Sequence, residues 1–226
     1  MRVLITGSNG QLGSEIKDLA TNYKKLDCVF KDLPKLDICN VQALEAFILD
    51  HQINAVINCA AYTAVDKAEK DAEMAEQVNS IGVLNLLKAL QKVNGKLIHI
   101  STDYVFDGDH TIPYKESDPV SPIGVYGKTK REGELAVINS EVDAIIIRTS
   151  WLYSSYGNNF VKTMLRMGSE KETLDVISDQ VGTPTYARDL AKTCLEILCR
   201  DNSGNISKNG NLYHYSNEGV TSWYDF

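Results

Sequence analysis

Short continuous apolar runs alternate along this chain with stretches whose apolar residues recur three and four positions apart. Val3 to Thr6 is the first such run, and Gly10 to Ala20 then switches to helical spacing through Leu12, Ile16 and Leu19. The alternation predicts a strand near Cys28 to Phe30, a helix from about Asn40 to Gln52 and a strand over Ala55-Val56-Ile57-Asn58. A long helical stretch from about Asp66 to Val93 follows, then a strand at Lys96 to Ile100, a loop rich in Pro, Gly and Asp, a helix around Lys128 to Ile138 and a strand at Ala144 to Ile147. Uninterrupted apolar strands alternating with helices are the pattern of a parallel sheet covered on both faces. Right-handed crossovers make such a sheet doubly wound.

Beyond Thr149 the pattern loosens. A loop of Tyr, Ser, Gly and Asn leads to a helix near Phe160 to Met167, a strand near Leu174 to Ile177 and a helix from about Tyr186 to Arg200. The expected architecture is therefore α/β, with residues 1–150 as a nucleotide-binding domain and 151–226 as a partial, substrate-facing region interleaved with it. The final Thr221-Ser222-Trp223-Tyr224-Asp225-Phe226 reads as a helix N-cap and first turn, with Asp225 placed for a capping interaction. A helix starting there implies that part of the smaller lobe lies beyond residue 226.

Composition narrows the function. At 226 residues, 43 % hydrophobic and 23 % charged, the chain is long enough for one large domain and has ordinary globular usage. A formal net charge of −7 argues against a general polyanion-binding role, since nucleic acid is held by a field of Lys and Arg. Five scattered cysteines, Cys28, Cys39, Cys59, Cys194 and Cys199, form no CxxC pair and are expected as reduced, mostly buried thiols. No metal-ligand spacing involves them or His51, His99, His110 and His214, which read as structural or surface residues. The amino-terminal segment lacks signal-peptide character, and no apolar run approaches the ~20 residues needed to span a bilayer, so a cytoplasmic location is expected.

The first βα turn, Gly7-Ser8-Asn9-Gly10-Gln11-Leu12-Gly13, reads GxxGxxG between a strand and a helix. Glycines there permit a sharp turn, close approach of the backbone to a pyrophosphate, and tight packing of helix on sheet, with the anion at the helix N-terminus. Alone the motif is also compatible with an ordinary Gly-rich loop. Asp32, at the end of the second strand and 19 residues after Gly13, stands near the ~20-residue offset of an acid that bonds the adenosine ribose of NAD. Lys31 beside it would suit the 2′-phosphate of NADP, which leaves both dinucleotides open.

Tyr126 and Lys130 are four apart at a predicted helix start, hence on one face. A nearby ammonium favours a phenolate, which is expected to bring the phenol of Tyr126 toward the working range for proton exchange with a carbonyl or alcohol oxygen. Thr102 ends the preceding strand, where ligands of a doubly wound sheet sit, and offers a hydroxyl to the same oxygen. A surface Tyr and Lys would show the same spacing by chance.

The glycine turn, Asn58-Cys59-Ala60-Ala61-Tyr62-Thr63, Ser101-Thr102-Asp103-Tyr104-Val105-Phe106, the YxxxK pair and Arg148-Thr149-Ser150-Trp151-Leu152-Tyr153 together resemble the extended short-chain dehydrogenase/reductases. With Gly157-Asn158-Asn159-Phe160-Val161-Lys162-Thr163-Met164 and Asp179-Gln180-Val181-Gly182-Thr183-Pro184-Thr185, the resemblance narrows to the dTDP-4-dehydrorhamnose reductases and covers nearly the whole chain. It implies a Rossmann-type fold and the NADH- or NADPH-dependent reduction of a nucleotide-linked 4-keto-6-deoxyhexose, dTDP-4-dehydro-L-rhamnose to dTDP-L-rhamnose. It further implies that Gly7, Gly10, Gln11, Leu12 and Gly13 lie along the pyrophosphate, Asp32, Asp37 and Ile38 near the adenosine, and Ala60, Ala61 and Tyr62 beside the nicotinamide half. Thr102, Tyr126 and Lys130 would be the catalytic set, the latter two also touching cofactor, and Thr102, Asp103, Tyr104 and Trp151 would meet the sugar.

Blander roles stand beside these: Trp151 as core packing, Asp103 as a turn cap, Asn79 as a polar residue on a helix interface rather than a neighbour of the cofactor. A nucleotide-sugar dehydratase or epimerase would share the turn and the Tyr/Lys pair. The dehydratases resembling this chain carry Asp-Glu after the catalytic Thr, whereas here Asp103 is followed by Tyr104. A non-catalytic regulatory subunit of the same fold is the remaining alternative. A homodimer is possible, and Glu15 by itself does not support a metal between subunits.

Overall fold

A computed structural model describes residues 1–201, 206–208 and 211–226. The chain runs β1 (Arg2–Thr6), α1 (Gln11–Leu19), β2 (Asp27–Phe30), α2 (Val41–Asp50), β3 (Ala55–Asn58), α3 (Val65–Ala68), α4 (Ala72–Glu76), α5 (Gly82–Gln91), β4 (Lys96–Thr102), α6 (Val125–Ile138) and β5 (Asp143–Thr149). It continues through β6 (Leu152–Tyr153), α7 (Phe160–Glu170), β7 (Val181–Gly182), β8 (Thr185–Tyr186), α8 (Ala187–Arg200), β9 (Ser207–Lys208), β10 (Asn211–His214) and β11 (Thr221–Ser222).

The main sheet has the order β10-β5-β4-β3-β1-β2, parallel along this path, with β9 antiparallel on β5. Strand residues sort by alternation onto its two faces. Leu4, Val56, Leu97 and Ile146 pack with Leu44, Ile48, Leu86, Leu90 and Val137 of α2, α5 and α6. Val3, Ile5, Ile57, Ile98 and Ile147 pack with Leu12, Ile16, Leu190 and Leu195 of α1 and α8. Every central strand is thus apolar on both sides, which is why its sequence reads as a continuous run. The C-terminal part of the chain shares this architecture: α8 covers one face beside α1, and β10 extends the sheet.

The doubly wound parallel sheet agrees with the sequence expectation, but four local expectations are corrected. The stretch expected as one helix from Asp66 to Val93 breaks after α3, and its remainder is interrupted by a π-helical segment, Gln77–Ile81, between α4 and α5. Residues 174–177 form no strand; Leu174 and Val176 alternate inward, but a strand needs a hydrogen-bonded neighbour, and the pairing instead joins β7 to β11. Thr221 and Ser222 are therefore strand residues as well as the start of a turn. The expected cap does form there, since the Ser222 hydroxyl donates to Asp225 Oδ2 at 2.5 Å and accepts from the Asp225 amide at 3.0 Å. Of the five free thiols only Cys194 is buried, and the other four are partly exposed.

Candidate active site

The chain passes from β1 to β2 on one side, then returns to β3 on the other, so the crevice between the carboxyl ends of β1 and β3 is the switch point of the sheet. Gly7 leaves β1 here with φ +58°, and a Cβ on it would lie 2.6 Å from the Ala60 amide nitrogen beyond β3. A Cβ on Gly13 would meet the Gly7 carbonyl oxygen at 2.5 Å. The two glycines therefore let α1 start hard against the turn. The Gly10 cap contributes no side-chain hydrogen bond to the helix N-terminus. A backbone cradle of this kind, at the positive end of a nine-residue helix, fits the pyrophosphate of a dinucleotide. Leu12 is buried in the core and offers only its backbone, whereas Gln11 is partly exposed and held by the Asn159 amide at 2.9 Å.

Around this turn, Asp32 accepts hydrogen bonds from the amides of Asn9 and Leu33, each at 2.8 Å, and so ties the end of β2 to the glycine loop. The Lys31 ammonium lies over the Phe47 ring, 5.2 Å from its centre. Asp37 is exposed, but the Ile38 side chain is buried against Gly82 and Val83, leaving its backbone as the part that can meet a ligand. Ala60, Ala61 and Tyr62 are half-buried at the end of β3.

Asn79 belongs to the π-helical segment and is 1 % exposed. Its side chain accepts from the Tyr62 amide at 2.9 Å and donates to the Tyr62 carbonyl at 3.1 Å and to the Thr129 hydroxyl at 3.2 Å. It is thus a clamp between the β3 loop and α6. Gly133 makes room for it, as a Cβ there would lie 2.4 Å from the Asn79 carbonyl oxygen.

Of the expected set, Thr102 and Tyr126 come within hydrogen-bonding reach of each other, and Lys130 stands one helical turn beyond Tyr126. Thr102 is buried at the carboxyl end of β4, and its hydroxyl donates to Asp103 Oδ1 at 3.0 Å and accepts from the Tyr104 amide. Tyr126, in the first turn of α6, meets the Tyr104 ring edge-on at 5.5 Å. Lys130, one turn on, is buried, and its ammonium donates to the Ile100 carbonyl at 2.6 Å.

The electrostatics correct one expectation. Burial pushes the Tyr126 phenol above its ordinary value, reinforced by the Asp103 carboxylate and opposed by a hydrogen bond with Thr102. The Lys130 ammonium is held by a backbone carbonyl and itself suffers desolvation, which lowers it to about 8, and burial dominates at the phenol. Desolvation likewise raises Asp103 to about 6. A buried phenol that stays protonated at neutral pH is suited to donating its proton.

Trp151 follows β5 with φ +47° and is packed closely. Trp223 stacks on one side at 3.6 Å between ring centres, and a Cβ on Gly182 would come within 2.5 Å of the indole. Both readings of Trp151 survive this packing, since it remains partly exposed.

Sequence reasoning missed the polar assemblies behind these residues. Glu134 is fully buried and gathers the Ser101 hydroxyl at 2.6 Å, Arg148 through Nε and a terminal nitrogen at 2.7 Å each, and Arg131 at 2.8 Å. Its spacing of four from Lys130 was the available signal. Across β1, β3 and β4, Thr6 donates to Asn58 at 2.6 Å, and Asn58 contacts His99 Nδ1 at 3.1 Å. Glu15 is buried between the Ser154 hydroxyl and Arg188, at 2.6 and 3.0 Å, fastening the loop after β6 to α1. Among the described residues, no group of three or more His, Cys, Asp or Glu could hold a metal ion, and no helix is long and apolar enough to cross a membrane.

Residues 1–226 match the family described as the RmlD substrate binding domain. The chain is 43% identical over 225 residues to the dTDP-4-dehydrorhamnose reductase of Aggregatibacter actinomycetemcomitans, covering 100% of this chain and 76% of that protein. It superimposes with a TM-score of 0.92 on the crystal structure of a dTDP-4-dehydrorhamnose reductase from Clostridium acetobutylicum, 45% identical, covering 100% of this chain and 78% of that one. The TM-score is also 0.92 against the Bacillus anthracis dTDP-4-dehydrorhamnose reductase in complex with NADP, at 42% identity and the same coverage of each chain.

Proposed function

The chain belongs to the family of the RmlD substrate binding domain, and on that premise we propose how its residues carry out the reaction. It is an NAD(P)H-dependent oxidoreductase that reduces the 4-keto group of dTDP-4-dehydro-L-rhamnose to give dTDP-L-rhamnose. What supports the assignment of roles is the hydrogen bond between Thr102 and Tyr126 at the carboxyl end of β4, with the buried Lys130 one helical turn beyond Tyr126.

In this proposal Gly7, Gly10, Gln11, Leu12 and Gly13 take the pyrophosphate, Asp32, Asp37 and the Ile38 backbone the adenosine, and Ala60, Ala61 and Tyr62 the nicotinamide half. The bound reduced nicotinamide supplies the hydride for C4 of the sugar. Tyr126 donates its proton to the C4 oxygen, and its high affinity for that proton keeps it a donor until the oxygen gains charge. Thr102 turns its hydroxyl proton, which rests on Asp103 Oδ1 at 3.0 Å, to the same oxygen when the sugar binds. Lys130, charged below about pH 8, stabilises the phenolate that Tyr126 becomes and reaches the nicotinamide ribose. Asp103, Tyr104 and Trp151 line the sugar pocket and orient the hexose, so that positioning and local charge supply most of the rate.

Residues 1–150 act as the dinucleotide-binding part and residues from 151 onward as the region that meets the sugar nucleotide. A cytoplasmic homodimer is the assembly we propose, since two-fold dimers are the commonest soluble oligomers; light scattering of the purified protein and fractionation of cells test it. The activity is tested by mixing the protein with enzymatically generated dTDP-4-dehydro-L-rhamnose and following oxidation of NADH and of NADPH. Stoichiometric oxidation with formation of dTDP-L-rhamnose supports the reading. Turnover without net cofactor consumption points to an epimerase or dehydratase, and dinucleotide binding without turnover to a regulatory subunit.

A further inference from the structure

Glu134 is not a group that the reaction itself requires, yet it is the most heavily engaged carboxylate around the site. It sits on α6 one turn beyond Lys130 and two beyond Tyr126, on the same face. Its partners come from the two strands that end at the site: Ser101 is the residue before Thr102 on β4, and Arg148 is the next-to-last residue of β5, in register with Ser101. Arg131 closes the set from the helix itself. Desolvation works to raise Glu134, but the hydrogen bonds from Arg148 and Ser101 prevail and hold its carboxyl below the ordinary range, so it is ionised.

We propose that Glu134 is a positioning residue for the catalytic pair, holding α6 in register with the ends of β4 and β5 and facing the buried Lys130 ammonium with a fixed counter-charge. The proposal deepens the functional reading above and rests on it for its kinetic consequence.

The groups around Lys130 leave this role to Glu134. From the end of β3 comes the Cys59 thiol, which burial pushes well above its ordinary value and keeps neutral. From β4 come the Ile100 carbonyl, which accepts from the ammonium, and His99, which burial and the Lys130 charge hold neutral. From α6 itself comes Glu134, whose charge opposes the desolvation of Lys130. The three partners of the carboxylate, Ser101, Arg148 and Arg131, are thus spent on geometry and charge balance.

The test separates this role from simple stabilisation. In protein carrying 13C-labelled lysine, with the Lys130 signal identified by its loss in Lys130→Met, the Lys130 titration is followed by NMR without substrate. Glu134→Gln is expected to lower its midpoint by about one unit, the size of a single nearby opposite charge. Glu134→Asp should restore it. Should Glu134→Gln not fold because Arg148 is left uncompensated, the Glu134→Gln/Arg148→Met double variant is compared with Arg148→Met alone, and the Lys130 midpoint should be lower in the double variant by the same amount. A midpoint unmoved in the folded variants overturns the proposal. In turnover assays the alkaline limb of kcat should move down in parallel, with dinucleotide affinity held within about twofold. If the wild-type protein did not reduce the keto sugar at all, the functional reading would fail while the NMR titration still decided the inference.

Discussion

Lys130 donates from its ammonium to the carbonyl of Ile100 at 2.6 Å, so the charge that the YxxxK spacing offers to Tyr126 is moored to strand β4. The mooring fixes the lysine where desolvation brings it to about 8. An amine is charged below its value and neutral above it, so the ammonium proposed to stabilise the Tyr126 phenolate is lost as pH rises through about 8. kcat for keto-sugar reduction should therefore fall on the alkaline side with a midpoint near that value, well below the ordinary lysine range. A rate-against-pH profile at saturating substrate checks this, and a profile flat to pH 10 would contradict it.

Tyr126→Phe keeps the ring that packs against Tyr104 and removes the proton donor. Turnover should drop by about 10²–10⁴-fold, the usual contribution of a positioned acid, with the fold and the dinucleotide affinity preserved. Single-turnover oxidation of NADPH, together with fluorescence-detected binding, separates the two.

Gly13 has no space for a side chain, because its Cβ would stand 2.5 Å from the Gly7 carbonyl oxygen, a backbone atom. Gly13→Ala should push α1 away from the turn, costing about 1–3 kcal/mol of stability as overpacking does, and weaken dinucleotide binding at least tenfold. Thermal unfolding with and without NADPH reads both effects, and a ligand-induced rise in Tm equal to that of the wild type would argue against the cradle.

Asn79→Ala deletes all three hydrogen bonds of the clamp and leaves the Tyr62 amide without its partner. A buried, unsatisfied group of this kind costs about 1–3 kcal/mol. Because Tyr62 borders the proposed nicotinamide pocket, the dinucleotide Kd should also rise, whereas a loss of stability alone would assign Asn79 to folding only.

Gly182→Val forces a side chain into the Trp151 indole, on which Trp223 is stacked. If Trp151 lines the sugar pocket, KM for the keto sugar should increase severalfold with the dinucleotide Kd unchanged. Parallel changes in both would identify Trp151 as core packing instead.

These predictions draw on features that were unequally legible. Alternation of apolar runs determined the doubly wound parallel sheet, because strands buried on both faces have no freedom to be anything but apolar. The glycine turn and the Tyr126/Lys130 spacing were likewise readable, since both are local: a turn needs glycine where it needs it, and residues four apart on a helix share a face. Locality also explains the misses. A chain can carry strand-like alternation at Leu174–Ile177, yet a strand exists only where another supplies hydrogen bonds, and those went to Val181 and Gly182. The titration of Tyr126 and Lys130 depends on what buries them, on the Ile100 carbonyl 30 residues away from Lys130 and on the Asp103 carboxylate, none of which spacing reveals. Apart from the Arg131 contact within α6, the Glu134, Asn79 and Glu15 assemblies join positions 14 to 173 residues apart. The sequence by itself determined the alternation of strands and helices in the main sheet and the side chains proposed for the chemistry; the tertiary structure alone decided their protonation and their bracing, because desolvation and hydrogen-bond partnership are properties of the packed neighbourhood and not of the chain's order.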